Sequence, residues 1–278
     1  MTRRQQLGTF AADRLSPVGR SLSLKLAGIA YMSNRAVILA GGRGSRLAPY
    51  TTVLPKPLMP IGDRAILDVL VRQLASTGFT NLTFAVGYLG NLVRAVFGDG
   101  SDFGVEIEYH HEPQPLGTAG PLAAMAGEDG SLLVLNGDLL TALDFRKFFD
   151  IHRASGNAMT IATHRRVVKI DYGVLHVAGS KHPVDAVTGY EEKPELGYVV
   201  SMGVYVVEPS ALAPIPVGER FDIPDLVLCL LDQGAPVGSW LFDGYWLDIG
   251  RHDDYEQALE DYEAVLPRLL PSLKTPAD

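Results

Sequence analysis

The 278-residue chain has one cysteine, Cys229. A single thiol excludes an intrachain disulfide framework and a cysteine-built zinc cluster. Such sparing use fits a reducing compartment. Cys229 sits in Leu226-Val-Leu-Cys-Leu-Leu231 and is expected to be a buried structural thiol. Apolar runs are short, and none reaches the roughly 20 residues that span a bilayer. Basic charge is also in short supply: 24 Lys and Arg stand against 32 Asp and Glu, a formal net charge of −8. Such a chain is a poor candidate for binding duplex nucleic acid through its overall field. Seven histidines offer no His-x-x-x-His pair on a clear helix. His110 and His111 are neighbours, and neighbours on a strand point to opposite faces, so they do not share a metal easily. There is no Ser–His–Asp arrangement, no internal repeat and no hexapeptide array of the kind that builds a left-handed β-helix.

What the chain does have is glycine, 29 residues of it, about a tenth of the length against a usual ~7%. Glycine lets backbone approach a ligand closely. Hydrophobic residues make up 47% and charged residues 20%, an ordinary globular balance that excludes disorder as the main state.

Residues 1–31 differ from the rest. They carry Arg3, Arg4, Arg14, Arg20 and Lys25 against Asp13 alone, and no strand-like run. Three readings of this extension compete: a start misplaced ahead of Met32, a peripheral helix over Leu22–Ala30, and a targeting segment. The last lacks the apolar core and small-residue cleavage site of a secretory signal. From Arg35 onward strand and helix alternate. Ala36 to Ala40 is wholly apolar, as a strand buried on both faces should be. Asp63 is expected to cap a helix with Leu67, Leu70, Val71 and Leu74 on one side and Gly78 as its stop. Strands are expected at 81–86, 105–110, 132–135 and 158–163, with helices at 91–97, 118–126 and 144–154. After about residue 165 strands dominate, at 172–177, 185–191 and 198–207, and they are expected to extend the same sheet for a second ligand. Two helices then close the chain, at 221–231 and 253–265. This rhythm predicts a three-layer α/β/α sandwich on a mixed, mostly parallel sheet. One domain is expected over 32–265, its nucleotide-binding part at about 32–165 and a second-ligand part at about 166–250. Residues 266–278 form a tail.

The strongest local signal is Leu39-Ala-Gly-Gly-Arg-Gly-Ser-Arg-Leu47, followed by Leu54-Pro-Lys-Pro-Leu58. A glycine loop leaving a buried strand can turn backbone N–H groups toward phosphate. Arg46 and Lys56 bring two cations to the same sheet end, where triphosphate chemistry needs them. No Gly-Lys-Ser/Thr closes the loop, so it is not a Walker A motif. Leu47 stands where a Rossmann fingerprint needs its third glycine. Taken alone, the loop is also readable as a tight turn with two surface cations.

With these residues the sequence resembles the sugar-phosphate nucleotidylyltransferases, or NDP-sugar pyrophosphorylases. Further stretches agree in order: Pro115-Leu-Gly-Thr-Ala-Gly120, Asn136-Gly-Asp138, Glu191-Glu-Lys-Pro194 and Tyr245-Trp-Leu-Asp-Ile-Gly250. The likeness covers about residues 35–262 and comes nearest to the mannose and heptose guanylyltransferases. It implies the reaction NTP + sugar 1-phosphate → NDP-sugar + pyrophosphate, with Mg²⁺ held jointly by Asp138 and Asp248. It implies that Arg46 meets the leaving pyrophosphate, that Lys56 meets the phosphates at the reacting centre, and that Asp138 takes part in catalysis. Leu39, Ala40, Gly41, Gly42, Gly44, Ser45, Gly117 and Thr118 would join Arg46 around the nucleotide. Lys193 would grip the sugar phosphate, Glu192 would accept sugar hydroxyls, and the backbone at Gly173 would lie against the sugar. Taken singly, Asp138 is equally readable as a helix cap, Asp248 as a turn residue and Glu-Glu-Lys-Pro as a solvated turn.

For the nucleobase the expectation is guanine. Its edge presents two adjacent donors, which one carboxylate accepts in charge-assisted bonds. Glu112 is such a carboxylate, and Gln114 two residues on is the competitor that would suit uracil or thymine. The alternatives are therefore a thymidylyl- or uridylyltransferase for glucose 1-phosphate, or a non-catalytic sugar-nucleotide sensor on the same fold. No nucleic acid or membrane partner is expected, a homo-oligomer is open, and a cytoplasmic location follows from the need for nucleoside triphosphates.

Overall fold

The computed structural model describes residues 34–179 and 185–271, all within one structural unit. The helix expected at Leu22–Ala30, with the rest of the 1–31 extension, lies outside the described residues, as do residues 272–278. The first half runs β1 (Arg35–Ala40), β2 (Pro60–Ile61), β3 (Arg64–Ala65), α1 (Ile66–Ser76), β4 (Asn81–Val86), α2 (Gly90–Phe97) and β5 (Glu106–His111). It continues through β6 (Leu132–Asn136), β7 (Leu139–Thr141), α3 (Phe145–Ser155) and β8 (Met159–Lys169). Then come β9 (Gly173–Ala178), β10 (Ala186–Glu192), β11 (Glu195–Val207), α4 (Ile223–Asp232), β12 (Val237–Leu241), β13 (Trp246–Asp248) and α5 (His252–Leu269).

Seven strands form the main sheet in the order β12-β8-β11-β6-β1-β4-β5. β6, β1, β4 and β5 are mutually parallel, and β12 is parallel to β8. β11 alone runs antiparallel to both its neighbours. Side chains of β1 alternate between two cores, as a strand's period of two requires. Ala36 and Ile38 pack with Leu67, Leu70, Phe145 and Phe148 from α1 and α3. Val37 packs on the other face with Leu122, Leu226 and Leu230, the last two from α4. Both faces are thus covered, which accounts for the apolar run. At about 1.5–3 kcal/mol for each fully buried side chain of this size, these two cores outweigh any single polar contact. A third core joins α5 to the glycine loop, with Leu47, Ile61, Ile249 and Tyr262 together.

The structure departs from expectation at five places. The closing helix does not end at 265 but runs to Leu269, because Leu269 and Leu270 are buried in the core that α5 shares with the glycine loop. Asp63 does not cap α1: Arg64–Ala65 pairs with Pro60–Ile61, so the helix starts later, with Ala65 at its N-cap and no side-chain cap bond. Residues 120–125 form a 3₁₀ stretch rather than an α-helix. Cys229 is half-buried, not buried, because α4 turns its Leu226 and Leu230 to the core instead. The later strands do not all extend one sheet, for among the described residues β9 and β10 pair only with each other. Beyond the register with β12 and β6, β8 and β11 continue together from His164 to Lys169 and from Glu195 to Val200. This ribbon and the β9–β10 hairpin form an arm whose Val167, Tyr172, Leu175, Tyr190 and Tyr198 are exposed.

Candidate active site

In an open parallel sheet the ligand crevice lies beyond the carboxyl ends of the strands. Here β1 ends at buried Ala40 and delivers the glycine loop to that edge. One 3₁₀ turn, Ser45–Leu47, buries Leu47 and leaves Ser45 and Arg46 exposed. Arg46 makes no hydrogen bond or ion pair with any described residue, and its guanidinium lies over Gly250, 3.6 Å from where a Cβ would stand. With no hydrogen bond spent, its guanidinium N–H groups are open to phosphate.

Lys56 is buried in the turn Lys56–Leu58. Its Nζ forms an ion pair with Asp138 and lies 4.0 Å from Asp248 Oδ1. The two aspartates are 110 positions apart in sequence. A short antiparallel ladder unites them: β13 pairs with β7 in a register that sets Asp248 opposite Leu139. Ile249 N–H also donates to Asp138 O at 3.2 Å. Burial, first, and then the nearby charge of Asp138 raise the Asp248 carboxyl above its ordinary range, while Lys56 and Arg46 oppose that rise. Asp138 Oδ1 is buried with no hydrogen-bond partner. Two crowded carboxylates sharing one lysine, with an oxygen left over, suit a hard divalent cation. Among the described residues no group of three or more His, Cys, Asp or Glu is placed to hold a metal. The remaining ligands of such a cation would have to be substrate oxygens and water.

Glu112 is buried beside the loop and its backbone N–H still pairs with Val86 O at 2.9 Å. Its Oε2 accepts from Leu116 N–H at 3.0 Å. Its Oε1 sits 2.6 Å from the position a Cβ on Gly41 would occupy, so a side chain there would have to push the carboxylate aside. Burial pushes the Glu112 carboxyl up, and the Leu116 N–H, His110 and His111 pull the other way. Gln114 is exposed instead, donating to Gly218 O at 3.2 Å, because the chain leaves the sheet at Pro113.

These groups enclose a cleft of about 410 Å³, within the ~300–1,000 Å³ usual for small-molecule sites. Its lining contains Leu39, Ala40, Gly41, Gly42, Gly44, Ser45, Arg46, Lys56, Glu112, Gly117, Thr118, Asp138 and Asp248, each singled out by the sequence. Thr118 lines it with its polar atoms already spent: its N–H and hydroxyl go to Asp222 Oδ1 at 2.9 and 3.2 Å. Pro57, Pro115 and Asn136 also line the cleft; the motifs contain all three, but nothing in the sequence marks them out from their neighbours. The sugar-side residues lie elsewhere. Gly173, Glu192 and Lys193 are on the exposed arm and do not line the cleft. There the Tyr190 hydroxyl donates to Glu192 and packs against Gly173. Lys193 adopts φ 46, a conformation uncommon for a residue with a Cβ. A second cavity, about 620 Å³, is lined by Glu106, Glu108, Glu128 and Asp129. Its Arg35 is already paired with Glu128, so its field repels phosphate.

Comparison with known proteins places the chain in a family. A UTP–glucose-1-phosphate uridylyltransferase of Synechocystis is 31% identical over 262 residues, 87% of this chain and 66% of the relative. A mannose-1-phosphate guanylyltransferase of Mycobacterium tuberculosis is 30% identical over 230 residues, 81% of this chain and 64% of the relative. The chain thus spans a little under two thirds of the length of these two relatives. Among solved structures, HddC from Yersinia pseudotuberculosis complexed with GMP-PN shares the fold. Its TM-score is 0.63 at 23% identity, covering 82% of this chain and 99% of that one. Residues 35–265 match the sequence profile of one family from the first strand to the last helix, and the chain is therefore a member of the Nucleotidyl transferase family.

Proposed function

We propose that the chain transfers a nucleotidyl group from a nucleoside triphosphate, GTP, to a sugar 1-phosphate and releases pyrophosphate. The observation that carries this reading is the meeting of Asp138, Asp248 and Lys56 at the end of the glycine loop. An oxygen of the sugar phosphate attacks the α-phosphorus, and the bond from that phosphorus to the oxygen of the β-phosphate breaks. The nucleophile is already an anion, so no general base is needed. Catalysis is positioning and charge stabilisation. The loop backbone and Ser45 cradle the phosphates, the unpaired Arg46 draws the leaving pyrophosphate, and Lys56 faces the reacting centre. Asp138 and Asp248 would hold Mg²⁺, which when bound would neutralise phosphate charge. Gly173, Glu192 and Lys193 are assigned to the sugar phosphate, which requires the arm and the cleft to share one substrate. Such chemistry belongs in the cytoplasm.

The choice of guanine rests on Glu112, buried in the cleft wall, against Gln114, exposed and outside it. The relatives named above include both a guanylyl- and a uridylyltransferase, so the base is the point to test. Pyrophosphate release is measured for each common nucleoside triphosphate against a panel of hexose and heptose 1-phosphates. GTP is expected to give the highest kcat/KM. No release with any pair would leave a sensor in place of an enzyme, and a preference for UTP or dTTP would overturn the role of Glu112.

A further inference from the structure

The loop that leaves β5 forms one wall of the cleft at Pro115, Gly117 and Thr118. Its support comes from a distant part of the chain, the residues that open α4. Phe221 N–H donates to Leu116 O at 2.9 Å, and the N–H groups of Ala119 and Gly120 donate to Phe221 O at 2.9 and 3.0 Å. Gly117, at φ 79, passes so close that a Cβ would stand 2.6 Å from Phe221 O and 2.7 Å from Asp222 Oδ1. Asp222 then closes the join. Its Oδ1 accepts both the N–H and the hydroxyl of Thr118, and that hydroxyl in turn accepts from Ile223 N–H at 2.9 Å.

Asp222 is also the N-cap of α4, in a capping box with Asp225. Capping alone asks only that a side-chain oxygen accept from the first helical turn. The two bonds to Thr118 exceed that need and act on the cleft. The Thr118 N–H bond, first among several, holds the Asp222 carboxyl below its ordinary range. The join continues inward, since Leu116, whose carbonyl Phe221 holds, donates its own N–H to Glu112 Oε2.

We infer that Asp222 is a positioning residue for nucleotide recognition. Through Thr118 it fixes the base-side wall of the cleft and keeps Leu116 N–H on Glu112. This rests on reading the cleft as the nucleotide site. A wall stapled before the ligand arrives spares the ordering of that loop on binding, and the benefit appears as affinity for the nucleotide. It does not appear in the chemical step or in affinity for the sugar phosphate.

The test uses the full chain and four variants: Asp222→Ala, Thr118→Val, Thr118→Ser and Asp225→Ala. The last opens the capping box and leaves Thr118 untouched. Nucleotide KM is expected to rise about tenfold in Asp222→Ala and Thr118→Val, the size of one lost hydrogen bond to a charged group. kcat and the KM for sugar 1-phosphate stay within about twofold, which separates binding from chemistry. Thr118→Ser restores the nucleotide KM. Asp225→Ala lowers Tm and leaves that KM alone. If Asp222→Ala does not fold, Thr118→Val decides. An unchanged nucleotide KM in Thr118→Val, or an equal rise in Asp225→Ala, would overturn the inference. A wild type that releases no pyrophosphate overturns the proposed function instead. The join is then judged by calorimetric Kd for GTP and UTP in the same variants, with the same two outcomes.

Discussion

The cleft and the arm are made differently, although the proposed reaction needs both. In the cleft the lining residues are held by the fold. Lys56 and Glu112 are buried, the aspartates are locked by the β7–β13 ladder, and the facing loop is stapled to α4. On the arm the β9–β10 hairpin pairs only with itself, its side chains are solvated, and Glu192 finds its partner in Tyr190 two residues away. The lesson concerns where order is established. The walls of the cleft rest on three hydrophobic cores, so on the proposed assignment phosphate and base meet a site set by the fold. The sugar, on the same assignment, meets an exposed arm whose contacts are local. Substitutions in the cleft should therefore disturb turnover or nucleotide affinity, whereas those on the arm should move sugar affinity alone.

The largest effect is expected at Asp138. Asp138→Asn keeps the shape, removes one charge from the cluster and leaves Lys56 near Asp248 alone. kcat should fall on the order of 10²–10³-fold, as for loss of a main electrostatic group. Circular dichroism should be unchanged. Near-normal turnover at saturating Mg²⁺ would remove the metal assignment and with it the core of the comparison.

Next in size is the arm. Lys193→Ala should raise the KM for sugar 1-phosphate by roughly tenfold or more, the value of one charged phosphate contact. The nucleotide KM should not move. A rise in nucleotide KM of the same size would mean that arm and cleft are one site, and the contrast drawn above would fail.

A pair of glycines sharpens the same contrast. Gly41→Ala places a methyl 2.6 Å from Glu112 Oε1 and must displace it. Gly197→Ala on the arm meets nothing within 4 Å. The first should raise nucleotide KM several-fold, about 1 kcal/mol of lost positioning. The second should be silent in both KM values.

Much of this was legible in the sequence, for physical reasons. β1 and β4 were evident because strands buried on both faces are short and apolar. The glycine loop was evident because three glycines in four positions directly after a buried strand are a rare local pattern, and Gly44 at φ 63 needs the freedom. That Asp138 and Asp248 belong together was found only through resemblance: a three-residue ladder such as β7–β13 has no periodicity to detect. The start of α1 was misplaced for the same reason, since two residues of β-pairing displaced Asp63 from the cap. Nor does sequence spacing hint that Thr118 and Asp222 meet across 104 residues. Long-range polar contacts leave no local signature, whereas buried faces do.

The smallest expected effect concerns Glu112 and pH. Burial raises its carboxyl above the ordinary 4.5. Only the ionised form accepts both donors of guanine. Affinity for GTP should therefore fall as pH drops, beginning above the pH at which a solvated glutamate would protonate. Phosphate groups on both substrates titrate near pH 6, so the informative quantity is the wild-type KM divided by that of Glu112→Gln at each pH. That ratio should rise a few-fold on acidification. Stability runs the other way. A carboxyl whose folded value lies above its unfolded value binds protons more tightly when folded, so its contribution to stability declines as pH rises through that interval. At neutral pH the buried charge is a cost to the fold. Gln in its place keeps an acceptor for Leu116 N–H and carries no charge. Glu112→Gln should therefore match or exceed the wild-type Tm at pH 7 while losing the preference for GTP over UTP, a trade of stability for recognition at one residue. A variant with a clearly lower Tm would show that the carboxylate is held for the fold. A variant that keeps the GTP preference would return base selection to another part of the wall.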